Sequence, residues 1–355
     1  MKQLTLLIKP ASGLCNMHCQ YCFYQSAGKE RDQQIMTKDT VDMLIRKVKA
    51  YRPAALTVMF QGGEPLLAGL DYYKYFVTAC NNALPVPVNY ALQTNGLLMD
   101  DALVKFFKKH QFLLGISLDG NEKTNDRYRL DLSKKSVLSR IISACKLLDR
   151  SGVAYNILSV IDDKNAAEIE STWEYFKSNG FRYLQFIPCI DEDNGVSLSS
   201  EAYERFLKKS FDLWYAEWTK GNYISVRHID NYINILLGNP PENCAMCGVC
   251  GSYFVVESDG ALYPCDFYCT EQYKLGSIFE DDPFETNEKQ REFIEKSRRI
   301  HKQCNTCRFY ILCRGGCRRD RTDNYTSNKY CAAYQSFFKY AVDRMTAVAK
   351  ELLYD

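Results

Sequence analysis

The chain has 355 residues, 46% of them hydrophobic, with a formal net charge of +2. At roughly 150 residues per domain this suggests two domains, or one large barrel with an appendage, and so balanced a charge offers no global field for nucleic acid or an anionic membrane. No apolar run approaches the roughly 18 residues of a membrane helix, and the one in residues 1–10 is too short for a secretory signal, so a cytoplasmic protein is expected.

Residues 4–9 read as a buried strand. Cys15, Cys19 and Cys22 follow, spaced C-x3-C-x2-C. Three thiolates can hold three irons of a cubane [4Fe–4S] cluster and leave the fourth open to a small molecule. A structural zinc site normally takes four ligands. Thr37 is a candidate cap for a helix reaching residue 50. Residues 56–60 form the next strand, running into the tight turn Gln61-Gly62-Gly63-Glu64-Pro65. A helix over 71–81 leads to a strand over 88–92, ending in Gln93-Thr94-Asn95-Gly96. Asp100 caps a helix to residue 109. The strand over 112–118 ends in Asp119-Gly120, and Gly152 stops a helix over 136–151. A strand (153–160), a helix (166–179) and a last strand (183–187) complete six strand–helix units. Such alternation implies parallel strands in one sheet, either open and doubly wound or a partial barrel, with the site at the C-terminal strand ends. The Cys loop, Gln-Gly-Gly-Glu, Gln-Thr-Asn-Gly and Ser-Leu-Asp-Gly all fall at such ends.

The pattern changes near residue 195, and a domain boundary is expected within 190–240. A helix over 200–218 carries Tyr203, Phe206, Phe211, Trp214 and Trp218 as expected core. Asn239-Pro240-Pro241 then breaks the chain. Short β-runs at 254–256 and 261–263 flank Asp259-Gly260, a hairpin signal. Helices are expected over 284–298 and 336–353. Sixteen cysteines in a reducing compartment read as metal ligands rather than disulfides, and nine of them fall between Cys244 and Cys317. Cys304, Cys307, Cys313 and Cys317 are spaced C-x2-C-x5-C-x3-C, with Cys331 beyond. Thiolates suit zinc as well as iron. Arg298, Arg299, Lys302, Arg308, Arg314, Arg318, Arg319 and Arg321 make the tail basic, which fits compensation of an anionic thiolate cluster better than RNA binding. No role is given to His18.

The first triad, with an aromatic residue after Cys22, resembles the radical S-adenosylmethionine (SAM) signature. The C-terminal cysteine run resembles the SPASM extension of peptide-modifying radical SAM enzymes. Leu-Leu-Ile-Lys-Pro-Ala-Ser, Phe-Gln-Gly-Gly-Glu-Pro, Leu-Gln-Thr-Asn-Gly, Tyr-Pro-Cys-Asp-Phe-Tyr and Cys-Arg-Gly-Gly-Cys-Arg-Arg are similar to stretches of the anaerobic sulfatase-maturating enzymes. The resemblance implies an α/β fold: a partial (β/α)6 barrel with a C-terminal cysteine-rich SPASM extension binding auxiliary iron–sulfur clusters. Barrel, helical linker, extension and C-terminal helix would occupy 1–195, 196–240, 241–335 and 336–355. It implies SAM and three [4Fe–4S] clusters: one on Cys15, Cys19 and Cys22, one on Cys244, Cys250, Cys265 and Cys317, one on Cys304, Cys307, Cys313 and Cys331. Cys247 could replace Cys250, and Cys269 stays ambiguous, whereas Cys80, Cys145 and Cys189 read as core residues.

The turn Gln61, Gly62, Gly63 and Glu64 would give SAM backbone access and a carboxylate for its ammonium. Gln93, Ser117 and Asp119 would reach the methionine and ribose groups, or serve as caps and turns. Asp266 would be the general base, or would only bond amides around a cluster. Tyr24 would touch the peptide, or pack. The implied reaction oxidises a Cys or Ser side chain of an unfolded or nascent sulfatase peptide to Cα-formylglycine, with a flavodoxin- or ferredoxin-type electron donor. Two alternatives stay open: a ribosomal-peptide maturase making thioether or C–C crosslinks, and a non-enzymatic iron–sulfur or zinc module.

Overall fold

A computed structural model describes residues 3–24, 34–190, 195–322 and 326–354. The chain forms two compact units that interleave along the sequence. The first takes Met1–Ser117, Tyr128–Tyr155 and Gly251–Phe293; the second takes Leu118–Arg127, Asn156–Cys250 and Ile294–Asp355.

In the first unit, β1 (Gln3–Ile8), β2 (Ala55–Phe60), β3 (Val88–Thr94) and β4 (Leu113–Ser117) pair in parallel, as the alternation of strands and helices predicts. Side chains alternate between faces with period two, and Leu56, Val58 and Phe60 are fully buried on one of them. The Phe60 ring lies 5.2 Å from Tyr73 and 5.1 Å from Phe76, edge-on, on the helix Leu70–Ala83. The helix Lys38–Tyr51 begins where expected, because Thr37 accepts the Thr40 N–H at 3.1 Å. Asp100 likewise caps Asp101–Lys109 by accepting the Leu103 N–H at 2.8 Å.

The opposite face is covered by the hairpin of β8 (Phe254–Val256) and β9 (Ala261–Tyr263), which the sequence placed in the extension. Here β8 continues the sheet, in parallel with β1, so that Leu7 stands beside Val255. Leu7, Val255, Ala261, Tyr263 and Cys269 form one buried cluster with Met59 and Tyr253 packed on it. The register sets Leu7, Met59, Ala91 and Leu113 in one row. One residue pair further on, Lys9, Gln61 and Gln93 share the same face. The sheet thus presents an apolar row and then a polar one at its C-terminal edge.

In the second unit, β5 (Tyr155–Ile161), β6 (Tyr183–Pro188) and the two-residue β7 (Ser225–Val226) are parallel. The helix expected over 166–179 is split into Asp163–Ala167 and Ile169–Ser178. Arg227–Leu236 is a further helix, unmarked in the sequence reading although Ile229, Tyr232, Ile233 and Ile235 give it a buried face. Ser200–Trp218 packs on the C-terminal helix Cys331–Tyr354 through Phe211 and Phe337, 6.0 Å apart, and through Asp212, which accepts from Tyr340 and Arg344. Tyr203, Phe206, Phe211 and Trp214 are core as expected. Trp218 is not: it is half-buried, and its indole N–H donates to Glu351 at 3.0 Å.

Candidate active site

The loop that carries Cys15, Cys19 and Cys22 leaves the C-terminal end of β1 and is tied down by its backbone. His18 N–H donates to Leu130 O at 3.1 Å, Gln20 N–H to Tyr128 O at 3.0 Å, and Cys22 N–H to Cys19 O at 3.0 Å. Buried Arg129 donates to the Tyr21 hydroxyl at 3.0 Å. Burial pushes the Cys15 thiol up to about 11, the Met17 amide pulls it down, and the charges of Glu64 and Cys22 push it further up. A thiol so placed ionises only when something compensates the charge, which a bound iron does. Each thiolate of a cubane binds a different iron, so its sulfurs need not converge on one point. Among the described residues no group of three ligating side chains surrounds a single-ion site.

The Gln-Gly-Gly-Glu turn meets this loop directly. Glu64 N–H donates to Leu14 O at 2.7 Å. Gly63 has φ +49°, and a Cβ there would lie 2.1 Å from the Leu14 carbonyl oxygen. Gly63→Ala should therefore push the backbone off Cys15, costing roughly 2–5 kcal/mol from left-handed strain and overpacking together. A lower melting temperature and less iron retained after reconstitution would register it; an unchanged melt would refute the close approach.

Glu64 corrects an expectation. Its carboxylate is fully buried and is spent on the protein. Oε1 accepts from Leu66 N–H at 2.9 Å and from the Thr94 hydroxyl at 2.7 Å, and Oε2 from Asn95 N–H at 2.8 Å. Burial raises its pKa while these donors hold it down. Glu64 thus clamps the turn to the end of β3, and the backbone of Gly62 and Gly63, rather than this carboxylate, is what the turn offers a ligand. Asp119 is a second correction. It is buried in the second unit, and its carboxylate accepts the Val160 N–H at 2.8 Å, so it secures a turn to β5. Gln61, Gln93 and Ser117 are half-buried at the ends of β2, β3 and β4.

Four residues not singled out from the sequence complete the first unit's polar cluster. Asn95 lies with its amide nitrogen 4.0 Å from the Cys15 sulfur. Arg129 holds Tyr21. Lys9, with no exposure at all, forms an ion pair with Asp266, and its ammonium sits 3.9 Å from the centre of the Tyr24 ring. Tyr24 donates its hydroxyl proton to Glu257 at 2.7 Å, and Ser12 donates to the same carboxylate at 3.3 Å. The signal was present in the strand period: Lys9 follows Leu7, and Glu257 follows Val255, on the same face.

In the second unit Cys304, Cys307, Cys313 and Cys331 line one cavity, with Tyr334 and Phe338 beside them. Burial pushes Cys313 up to about 11, and the charges of Cys307, Cys304 and Cys331 push the same way, so these sulfurs are mutual neighbours. Cys244 and Cys250 are also coupled, and Arg318 and Arg321 favour the Cys250 thiolate. The basic tail is thus partly a compensating one. Arg321 is also a staple, donating to the carbonyls of Gly315, Ser297, Arg299 and Gly316. The Cys247 thiol donates to the Asn243 carbonyl at 3.5 Å, and buried Cys269 donates to the Cys265 carbonyl at 3.5 Å. Cys80, Cys145 and Cys189 are buried, as expected of core residues.

Residues 10–176 match the Radical SAM superfamily, and residues 240–308 match SPASM, an iron–sulfur cluster-binding domain. The cysteine-type anaerobic sulfatase-maturating enzyme of Clostridium novyi is 40% identical over 372 aligned residues, 100% of this chain and 99% of that one. The serine-type enzyme of Klebsiella aerogenes is 31% identical, over 94% of this chain and 84% of its own length. The solved structure of native anSMEcpe with bound AdoMet and Cp18Cys peptide superposes with a TM-score of 0.93 at 37% identity, over 99% of both chains.

Proposed function

This chain belongs to the radical SAM superfamily and, within it, to the anaerobic sulfatase-maturating enzymes, and we infer that it oxidises a cysteine side chain of a sulfatase polypeptide to Cα-formylglycine. The observation that carries the cysteine preference is the full-length similarity, 40% to a cysteine-type relative against 31% to a serine-type one.

With a [4Fe–4S] cluster on Cys15, Cys19 and Cys22 and SAM at its open iron, the site would be supplied with a 5′-deoxyadenosyl radical able to take a hydrogen atom from a side-chain carbon. The chain's own residues must bind the peptide, exclude water and accept a proton. The substrate loses one hydrogen atom from its β-carbon, one proton from its sulfur and one electron. Asp266 suits the proton: it is a buried carboxylate whose Oδ1 is anchored by Lys9, while Oδ2 has no hydrogen-bond partner among the described residues. Tyr24 borders the same cluster and would pack against the peptide. The Gln61–Gly63 turn, Gln93 and Ser117 line the C-terminal strand ends where SAM would lie.

Cys304, Cys307, Cys313 and Cys331 would hold one auxiliary cluster, supported by their common cavity. Cys244, Cys250, Cys265 and Cys317 are assigned the other on the family resemblance, making three clusters. The carbonyl partners of Cys247 and Cys269 support leaving both thiols outside the ligand sets. A cytoplasmic location and an electron donor of the flavodoxin or ferredoxin type complete the reading.

The test is to incubate anaerobically reconstituted, reduced protein with SAM and either a Cys-x-Pro-x-Arg or a Ser-x-Pro-x-Arg peptide. The cysteine peptide should shift to the mass of the aldehyde faster than the serine peptide does. Formation of 5′-deoxyadenosine with neither peptide changing mass would remove the assignment, and equal rates would remove the cysteine preference.

A further inference from the structure

Lys9 has a place in this site that nothing in its local sequence announces. It is the first residue after β1, and the strand period turns its side chain to the face shared by Leu7 and Met59. It has no exposed surface, so its ammonium has lost water, and a buried ammonium persists only where opposite charge meets it. The stem passes against Gly62, where an added Cβ would lie 2.9 Å from Lys9 Cδ and 3.0 Å from Cγ. The glycine-rich turn therefore makes room for this lysine. At the tip, the ammonium pairs with Asp266 Oδ1 and rests 3.9 Å from the Tyr24 ring centre, while Tyr24 is tied to Glu257 at 2.7 Å. Three partners from distant parts of the first unit thus converge on one cation.

We propose that Lys9 is a positioning residue for peptide oxidation: by holding Oδ1 of Asp266 against the Tyr24 ring, it fixes the carboxylate with Oδ2 facing the substrate proton. The proposal rests on Asp266 as the proton acceptor. The bond made to Lys9 takes one oxygen out of use and removes the side chain's rotational freedom about the other. A displacement of about 1 Å in such a group costs on the order of 10²-fold in rate. Gly62 and Tyr24 restrain Lys9 in turn, so its position is set by packing as well as by charge.

The test compares Lys9→Met, Lys9→Arg and Asp266→Asn, alone and with Lys9→Met combined with Asp266→Asn. For each, peptide oxidised and 5′-deoxyadenosine formed are counted in the same reaction, beside iron content and melting temperature. Lys9→Met should lower peptide oxidation on the order of 10²-fold, raise the ratio of 5′-deoxyadenosine to aldehyde, and leave the peptide KM near its original value. Lys9→Arg, which keeps the charge, should recover part of the loss. In the Asp266→Asn background, Lys9→Met should add nothing further, since residues acting through one another are not additive. Oxidation at the original rate in Lys9→Met overturns the proposal. So does a proportional fall of both products with lost iron and a lower melt, the mark of a merely structural lysine. If Lys9→Met does not fold, a Lys9→Arg protein with an unaltered product ratio and rate overturns it, and one with a raised ratio upholds it. Full activity in Asp266→Asn would instead refute the base assignment, a result distinguishable from failure of Lys9 alone.

Discussion

Asp266→Asn is expected to lower peptide oxidation by roughly 10²–10⁴-fold, the usual contribution of a positioned general base, while 5′-deoxyadenosine continues to form. The split between products follows from the geometry. Asp266 lies in the polar cluster with Lys9 and Tyr24, and the cysteine loop is tied down by contacts of its own with Tyr128, Leu130 and Arg129. Removing the carboxylate abolishes proton acceptance without touching a ligand of the first triad. Asparagine keeps the shape but leaves the Lys9 ammonium without its counter-charge, and breaking a buried pair costs about 3–5 kcal/mol of stability. A melting curve must accompany the assay, and the ratio of aldehyde to 5′-deoxyadenosine corrects for protein that fails to fold. The expected result is a folded variant with that ratio collapsed. A ratio equal to that of the unaltered protein would show that another group takes the proton, and Glu257, bonded to Tyr24 in the same cluster, is the next to replace.

Cys22→Ala is expected to reduce 5′-deoxyadenosine formation to background. A cubane with an open iron needs its three thiolates, and a substitution here leaves two. The loop itself should survive, since Cys22 contributes its amide to the turn with Cys19 and alanine keeps that amide. Cys313→Ala, in contrast, alters the cavity of the second unit and should lower iron content while 5′-deoxyadenosine formation persists. Iron analysis, visible absorption and chromatography of the nucleoside products distinguish the two. Equal loss of 5′-deoxyadenosine in both variants would mean that the cysteine sets are not separate in function.

The contrast between Glu64 and Lys9 separates what local sequence encodes from what it does not. The strand and helix order, the caps at Thr37 and Asp100, the hairpin at Asp259-Gly260 and the cysteine spacing were all legible, because each depends on residues a few positions apart. Period-two burial and cap hydrogen bonds are set before distant elements meet. The same reasoning named Gln61–Glu64 and Asp119 because they stand at strand ends. Location alone could not say which way a carboxylate turns. Glu64 turns inward because three donors from the turn and β3 surround it, and Asp119 because the Val160 amide faces it.

The sequence by itself determined that three thiols stand at the end of the first strand and that further cysteines gather near the C-terminus. Tertiary structure decided which side chains share the site. Lys9 and Asp266 are 257 positions apart and meet only because β8 joins β1 in parallel and carries its hairpin over the open face. A lysine at the end of an apolar strand is ambiguous until its neighbours are known, since burying its charge is costly alone and tolerable only against an opposite charge. Periodicity reports the face a residue occupies, and only the packing of elements distant in the chain supplies the partner it meets there.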